Sequence, residues 1–465
     1  MKKKMSSRRK FIKHTGLAAA AFTIVPRHVL GGKDYLAPSD KLNIAAIGAG
    51  GKGYSNIRAL AAENIVALAD VDFQRADRAF KEFPKAKRYK DYRIMLDNHP
   101  EIDAVMISTP DHTHAITGLA CMELDKHVYI EKPLAHSIGE VRDLTEMAAK
   151  KPHLITQMGN QGASGEGIRE SQELYDAGLI GDVTKVIAWT NRPVWPQGGP
   201  IPTAEQPIPD HLDWNLWLGP AAMRPYNEAY LPFAWRGFWD FGTGALGDMG
   251  CHILDTPFYM LKLGYPIAAE ASVGQVYSQN WTPDYNPGAC PPSSKIHIKF
   301  PARDNLPPVE LEWMDGGILP KRPEELSPDE PMGASGGGFI LEGTKGKLMA
   351  NLYGENPRLL PTTLMESIKV EPTIPRLKHS HQEDWAKGIK NSYQPSSHFG
   401  KAGPLTETVL MGNLAIRSYN YRQIEENGKY TLPGRTTLLW DGKMMKVTNL
   451  DFANQFVRRQ SPRNF

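Results

Sequence analysis

Cysteine is scarce in this chain: three among 465 residues, Cys121, Cys251 and Cys290. They are odd in number and far apart, so they make no disulfide framework and no metal-binding pattern. Their expected state is that of small buried hydrophobes. Beyond the N-terminal stretch, no run of about 20 apolar residues appears, so nothing there reads as membrane-spanning. A strong excess of one charge is also missing. Lys and Arg number 54 and Asp and Glu 51, a formal net charge of +3. Residues 1–32 hold eight of those bases and no acid, which leaves 46 against 51 and a balance of −5 for the rest. A mildly acidic body has no electrostatic footprint for nucleic acid or anionic lipid, and neither is an expected partner.

What the N-terminus does have is "SSRRKFIKHTGLAAAAF". A basic region, Lys2 to Arg9, precedes a short apolar one, Gly16 to Val25. The apolar part is too short to span a bilayer stably. Arg8 and Arg9 ahead of it resemble the twin-arginine export motif, against the plainer alternative of a solvated basic tail. Residues 1–32 are therefore expected to be an export signal leading to the periplasm. No cysteine stands near residue 26, which argues against a lipoprotein anchor. The twin-arginine route carries folded proteins, often with a cofactor inside, so a cofactor-binding fold is expected downstream.

Such a fold is legible in the next segment. "KLNIAAIGAG", "NIVALADVD", "DAVMISTPD", "HVYIEKPLA" and "HLITQMGNQ" read as buried strands, with helical spacing between them. Strands alternating with helices predict a doubly wound parallel sheet, here a Rossmann domain over 33–160. Residues 161–465 differ in character and are assigned to a substrate and oligomerisation domain. Residues 186–240 are dense in Trp, Pro and Gly and read as long loops; Trp faces there are candidate sugar platforms, although most Trp are core. β-like alternation over 268–315 and 338–350 predicts a sheet. The Gly/Pro-rich stretch 316–338 reads as a mobile loop or lid. Helix-like segments follow, and no internal repeat is present.

Three motifs carry chemistry. In "GAGGKG", Gly48, Gly50 and Gly53 fit G-x-G-x-x-G between a strand and a helix. The glycines permit a tight turn and close approach of a pyrophosphate to backbone N–H groups. Twenty residues past Gly50 stands Asp70, where an acid binds both ribose hydroxyls of NAD and repels the extra phosphate of NADP. No arginine follows directly, which favours NAD; Asp72 is a second candidate for the ribose. Glu131, Lys132 and Pro133 end a later strand. At the carboxyl edge of a parallel sheet, Lys132 would reach the nicotinamide ribose and a substrate hydroxyl; elsewhere the tripeptide is any surface turn. Asp248 and His252 are four apart, on one face if helical, with Asp255 on a similar face. A carboxylate beside an imidazole tunes a general base, or it simply caps a helix.

In order and spacing, "IAAIGAGGKG", "ALADVD", "ISTPDHTH", "YIEKPLA" and "GDMGCHILD" resemble the Gfo/Idh/MocA oxidoreductases, densely over 41–160 and again over 244–263. "ILEGTKGKL" and "HQEDWAKGIKNSYQP" resemble that family's second-domain strand and helix. The Trp-rich insert and the arginine pair resemble its exported bacterial branch. The resemblance implies an N-terminal Rossmann domain and a C-terminal α/β domain with an open, mostly antiparallel sheet. It implies hydride transfer from a sugar-like carbinol carbon to NAD. Lys132, Asp248 and His252 would be catalytic, with His252 taking the hydroxyl proton and the Lys132–Pro133 bond usually cis. Thr109, Pro110 and His114 would line the cofactor pocket beside Gly48, Gly50, Gly53, Asp70, Glu131 and Lys132. A homodimer or homotetramer, paired through the exposed face of the second sheet, is expected.

No metal site is assigned to the two H-x-H pairs: His112/His114 falls where the resembled family places its cofactor, and His379/His381 opens a helix without nearby acids in a metal pattern. The leading expectation is an NAD-dependent sugar or glycoside dehydrogenase with tightly held NAD. One alternative is an NAD-dependent glycosidase working by transient C3 oxidation and elimination, which would need an extra base; Tyr or His in 186–240 are its candidates. The other is a sugar- or nucleotide-binding accessory protein without turnover. The presence of Lys132, Asp248 and His252 weighs against that last one. The sugar, its oxidised carbon and the final electron acceptor stay open at this level.

Overall fold

In the computed structural model, residues 40–460, Pro462, Arg463 and Phe465 are described; the export-type segment lies outside them. Six short strands build the first sheet: β1 (Asn43–Ile47), β2 (Asn64–Ala69), β3 (Lys87–Tyr89), β4 (Ala104–Ile107), β5 (His127–Glu131) and β6 (Thr156–Gly159). Their order is β3-β2-β1-β4-β5-β6, and every pairing is parallel. Ala45, Ile47, Val105 and Ile107 face one core, and Ile44, Ala46, Ala104 and Met106 face the other. Burial on both sides is why these strands read as continuous apolar runs. Helices α1 (Lys52–Arg58), α2 (Phe73–Glu82), α3 (Tyr92–Asn98), α4 (His114–Glu123) and α5 (Ile138–Lys150) connect the strands. Helix α5 starts where its sequence says it should: Ser137 and Glu140 form a reciprocal capping box. Strand order reverses between β1 and β4, and there a crevice opens at the carboxyl ends.

Helix α6 (Glu166–Asp176) leads to a nine-stranded sheet. Its strands are β7 (Val183–Thr190), β8 (Ala268–Val273), β9 (Ser294–Phe300), β10 (Val309–Met314), β11 (Gly337–Gly343), β12 (Lys347–Asn351) and β13 (Arg358–Leu360), with β16 (Leu438–Asp441) and β17 (Lys446–Val447) at one edge. A separate hairpin pairs β14 (Gln423–Ile424) with β15 (Tyr430–Thr431). The sheet is mostly antiparallel; β7 and β10 run parallel. The fold is thus a doubly wound Rossmann sheet followed by an α/β domain with an open, mostly antiparallel sheet.

Three segments depart from the sequence reading. Residues 186–190, expected as loop, end the central strand β7. Val186 and Ala188 face the main core while Ile187 and Trp189 face a smaller one, so two-sided burial erased the alternation. The stretch 316–338, expected as a mobile loop or lid, lies away from the cleft. It lies over the outer face of the sheet and places buried Leu326 and half-buried Met332 against Ile187, Trp189, Ile340 and Met349, and none of it lines the cleft. The rest of that face, through which pairing was expected, carries a charge ladder, with Lys185 on Glu312 at 2.8 Å and His297 near Glu310 at 3.6 Å.

The third departure concerns the domain border. Helix α11 (His381–Asn391), capped by Ser380 and Glu383, belongs in sequence to the second domain. It packs on the first, burying Trp385 beside Tyr129 and Ile155. Its Gln382 amide donates to Asn56 Oδ1 at 2.9 Å. Helix α12 (Phe399–Tyr419) is buried nearly all round and packs against α5, β8 and β9, joining the two sheets in one core. Among the described residues, the short helices α7 (Trp214–Leu218), α8 (Gly244–Ile253), α9 (Asp255–Met260) and α10 (Leu364–Ser367) complete the set. Trp214 and Trp217 stack at 4.8 Å inside a buried cluster with Tyr226, Tyr230, Trp235 and Phe241. The tryptophans of the insert, Trp189, Trp195, Trp214, Trp217, Trp235 and Trp239, are therefore core, as aromatic residues more often are. Cys121, Cys251 and Cys290 are all buried and free.

Candidate active site

The crevice at the switch point is a cleft of about 460 Å³, within the range of ligand sites. One end is built by the β1–α1 turn. Gly48 has φ +81°, and a Cβ there would lie 2.7 Å from the Ser108 carbonyl oxygen. A Cβ on Gly53 would lie 1.8 Å from the Gly48 oxygen, and one on Gly50 would meet Arg75. Side chains are excluded there, and Gly48, Gly50 and Lys52 of this turn line the cleft. Asp70 follows β2 and lines the same end. Its Oδ2 accepts from the N–H groups of Ala49 at 2.8 Å and Gly50 at 3.0 Å. Burial pushes its carboxyl up to about 6, against the pull of these N–H donors. A glycine cradle with an acid at the next strand end fits a dinucleotide. Asp72 is engaged otherwise: it caps α2 and pairs with His211 at 2.9 Å.

The other end gathers the sequence motifs from two domains. Lys132 directly follows β5 and precedes a cis Lys132–Pro133 bond. Its Nζ donates to the Asp248 carbonyl at 2.6 Å and to Asp248 Oδ1 at 2.8 Å. Asp248 sits on α8. Burial alone would raise its carboxyl, but Lys132 and Arg236 hold it well below the usual carboxylate range. One turn on, His252 also lines the cleft. Burial, and then the charge of Lys132, push its imidazole well below its ordinary 6.5, so it is neutral near pH 7. Its ring meets Tyr353 edge to face at 4.9 Å. Thr109, Pro110 and Glu131 line the cleft as well, with Glu131 Oε1 accepting from Asn56 at 2.7 Å.

His114 is a correction to the expected cofactor set. It is fully buried behind the wall, its ring nitrogens 2.8 Å from the Pro133 oxygen and 2.9 Å from the Thr109 oxygen. It braces the two loops that do line the cleft. The other H-x-H histidines are likewise committed. His112 sets its nitrogens on the Trp217 and Phe241 carbonyls, and His381 on Ser164 and Met158.

Asp255 is also set apart: it opens α9 after the helix break at Leu254 and does not line the cleft. Both of its oxygens are buried without a hydrogen-bond partner among the described residues. Asn160 is near enough to lower its pKa, yet joins it by no bond of ordinary geometry. Burial pushes the carboxyl up to about 8. An unfolded Asp loses its proton near 3.8, so this group favours the folded state most below that pH and progressively less up to about 8. Asp255→Asn is expected to raise stability by ~3 kcal/mol at pH 8 and to do nothing at pH 4. Urea titrations at the two pH values check this; equal effects at both would refute it.

Sequence reading missed Arg192, Arg236 and Tyr353. All three line the catalytic end. The two arginines lie in aperiodic Pro- and Trp-rich segments, and Tyr353 in the turn after β12, so no local pattern marks them. The candidate bases of 186–240 are elsewhere: Tyr226 and Tyr230 are in the aromatic cluster and His211 is on Asp72.

Residues 42–159 match the Gfo/Idh/MocA oxidoreductase family's NAD-binding Rossmann fold, and residues 168–278 match its C-terminal α/β domain. Inositol 2-dehydrogenase/D-chiro-inositol 3-dehydrogenase of Lacticaseibacillus casei is 30% identical over 145 residues, 30% of this chain and 42% of that one. Inositol 2-dehydrogenase of Gluconacetobacter diazotrophicus is 32% identical over 186 residues, 38% of this chain and 54% of its own. The chain thus spans about half the length of the curated relatives it matches. A solved levoglucosan dehydrogenase in complex with NADH shares the fold at TM-score 0.52 and 19% identity, covering 80% of this chain and 97% of that one. With both domains matched in order, and the glycine cradle and Lys132 at the sheet edge between them, the chain belongs to the Gfo/Idh/MocA oxidoreductase family.

Proposed function

We propose that the protein oxidises a hydroxyl-bearing carbon of a sugar or cyclic polyol, with NAD in the cleft. The carrying observation is that Lys132, Asp248 and His252 meet in the same cleft as the glycine cradle and Asp70. The similarity to inositol and levoglucosan dehydrogenases supports the substrate class. Bound NAD would supply the hydride acceptor, its pyrophosphate at Gly48–Gly53 and its ribose at Asp70. Lys132, with two N–H groups on Asp248, has the third to hold the reacting hydroxyl. Neutral His252 accepts the hydroxyl proton as the carbon loses its hydride. Asp248 stays ionised and stabilises the positive charge that then develops on the imidazole.

The arginine pair at the N-terminus supports export with NAD already bound, which calls for tight cofactor retention. The test uses protein purified without added nucleotide and a panel of free sugars, glycosides and inositols, following NADH absorbance and products by mass spectrometry. A burst of NADH with a keto product is expected. No NADH from any substrate after NAD addition overturns the proposal. Aglycone release without net NADH would replace it with the hydrolase.

A further inference from the structure

The catalytic end holds a guanidinium, that of Arg192, whose Nε no carboxylate hydrogen-bonds among the described residues. Among the described residues, Asp248 is the carboxylate that pairs with Lys132, Arg236 and Arg192, while the buried Asp111 also feels the charges of Arg236 and Lys132. Asp248 Oδ1 takes Lys132 at 2.8 Å and Arg236 Nε at 3.2 Å, while Arg192 Nε stands 3.7 Å from Oδ2, too far for a hydrogen bond. That Arg192 Nε is buried without a partner among the described residues. The other acids lining this end, Asp111 and Glu131, bond to other groups, and neither pairs with Arg192 among the described residues. Asp111 is buried, takes the Thr243 hydroxyl at 2.7 Å, and has its carboxyl pushed up by burial. Glu131 is buried and holds Asn56. His252 is neutral and Tyr353 has its hydroxyl pushed up by burial, so neither adds an anion.

Both guanidinium groups are positioned rather than loose. Arg236 lies over the rings of Phe233 at 4.1 Å and Trp235 at 4.2 Å and gives one terminal nitrogen to the Phe233 carbonyl. Arg192 gives one to Asn191 Oδ1 at 2.6 Å. The second terminal nitrogen of each has no partner among the hydrogen bonds of the described residues, and both side chains line the cleft with 27% and 21% of their area open. Arginine does not discharge itself by losing a proton, so a second half-buried guanidinium beside one carboxylate is costly unless another anion arrives. The nucleotide phosphates belong at the glycine cradle, at the opposite end. The remaining source is the substrate.

We infer that Arg192 and Arg236 form an oxyanion subsite, so that the substrate is an acidic sugar. A uronate, a sulfate ester and a phosphate ester share this chemistry. The inference rests on the sugar-oxidoreductase reading above, and it concerns which sugar.

Two readouts test it. The NADH-loaded protein is titrated by calorimetry with glucose, galactose, their uronates, and the 6-sulfate and 6-phosphate of glucose. The same compounds are then compared by kcat/KM for NAD reduction. At least one acidic arm is expected to exceed its neutral parent by about tenfold or more, as one charge-assisted pair implies, and the arm that does so names the oxyanion. Arg192→Gln and Arg236→Lys are expected to shrink that ratio severalfold, chiefly through KM. Neutral parents that bind as tightly as every acidic counterpart overturn the inference, as does a ratio unchanged in Arg192→Gln. Arginine-dependent binding of an acidic sugar without any NAD reduction would uphold the subsite and refute the oxidoreductase reading instead.

Discussion

Lys132→Ala is expected to lower hydride transfer by ~10³-fold or more, with the fold and the NAD content preserved. Among the described residues, Lys132 is the one cation bonded to both the carbonyl and the carboxylate of Asp248, at 2.6 and 2.8 Å. Its loss removes the donor that holds the reacting hydroxyl. It also leaves Asp248 to Arg236 and Arg192, which would turn the carboxylate away from the reacting position. The aliphatic stem of a single cleft side chain contributes little to the core, and β5 keeps its pairings to β4 and β6. Single-turnover NADH formation, nucleotide content by chromatography and circular dichroism make the check together. Turnover within tenfold of wild type, in a folded and NAD-loaded variant, would refute the assigned role.

His252→Ala should cost ~10²–10⁴-fold in kcat and should also change the pH profile. In the wild type, burial and Lys132 favour the neutral ring, so the base form persists below the ordinary 6.5. The acid limb of kcat/KM is therefore expected below pH 6.5, and it should be missing in the variant, whose residual activity would rise with hydroxide. The ring also packs on Tyr353, so some rate loss could come from repacking alone. The pH profile separates the two causes, because a merely structural loss would keep the limb. A wild-type limb at or above 6.5 would mean that His252 is not the proton acceptor.

How much of this could be read from the chain alone depends on the range of the physics involved. β1, the glycine turn and the acid after β2 are local patterns. Each is dictated by steric exclusion or two-sided burial within a few residues, and each is legible in "IAAIGAGGKG" and "ALADVD". The capping boxes of α5 and α11 are equally local. By contrast, β7 lost its alternation because a loop some 130 residues later covers its second face. Helix α11 looked like part of the second domain because nothing in its own sequence says that Trp385 will bury against Tyr129. His114 carried a motif position, but its direction was set by two carbonyls from separate loops.

The sequence by itself determined the architecture of the nucleotide-binding half, the family, and the residue types that meet at the sheet edge. The architecture follows from spacing, turn stereochemistry and apolar runs, which act over short stretches of chain; the family and the site residues follow from the resemblance its motifs carry. Only the tertiary structure decided which charges surround Asp248, that Arg192 and Arg236 reach it from aperiodic loops, and that 316–336 shields the outer sheet rather than the cleft. Charge balance and burial are sums over groups distant in sequence, so they become defined only when the chain has closed on itself.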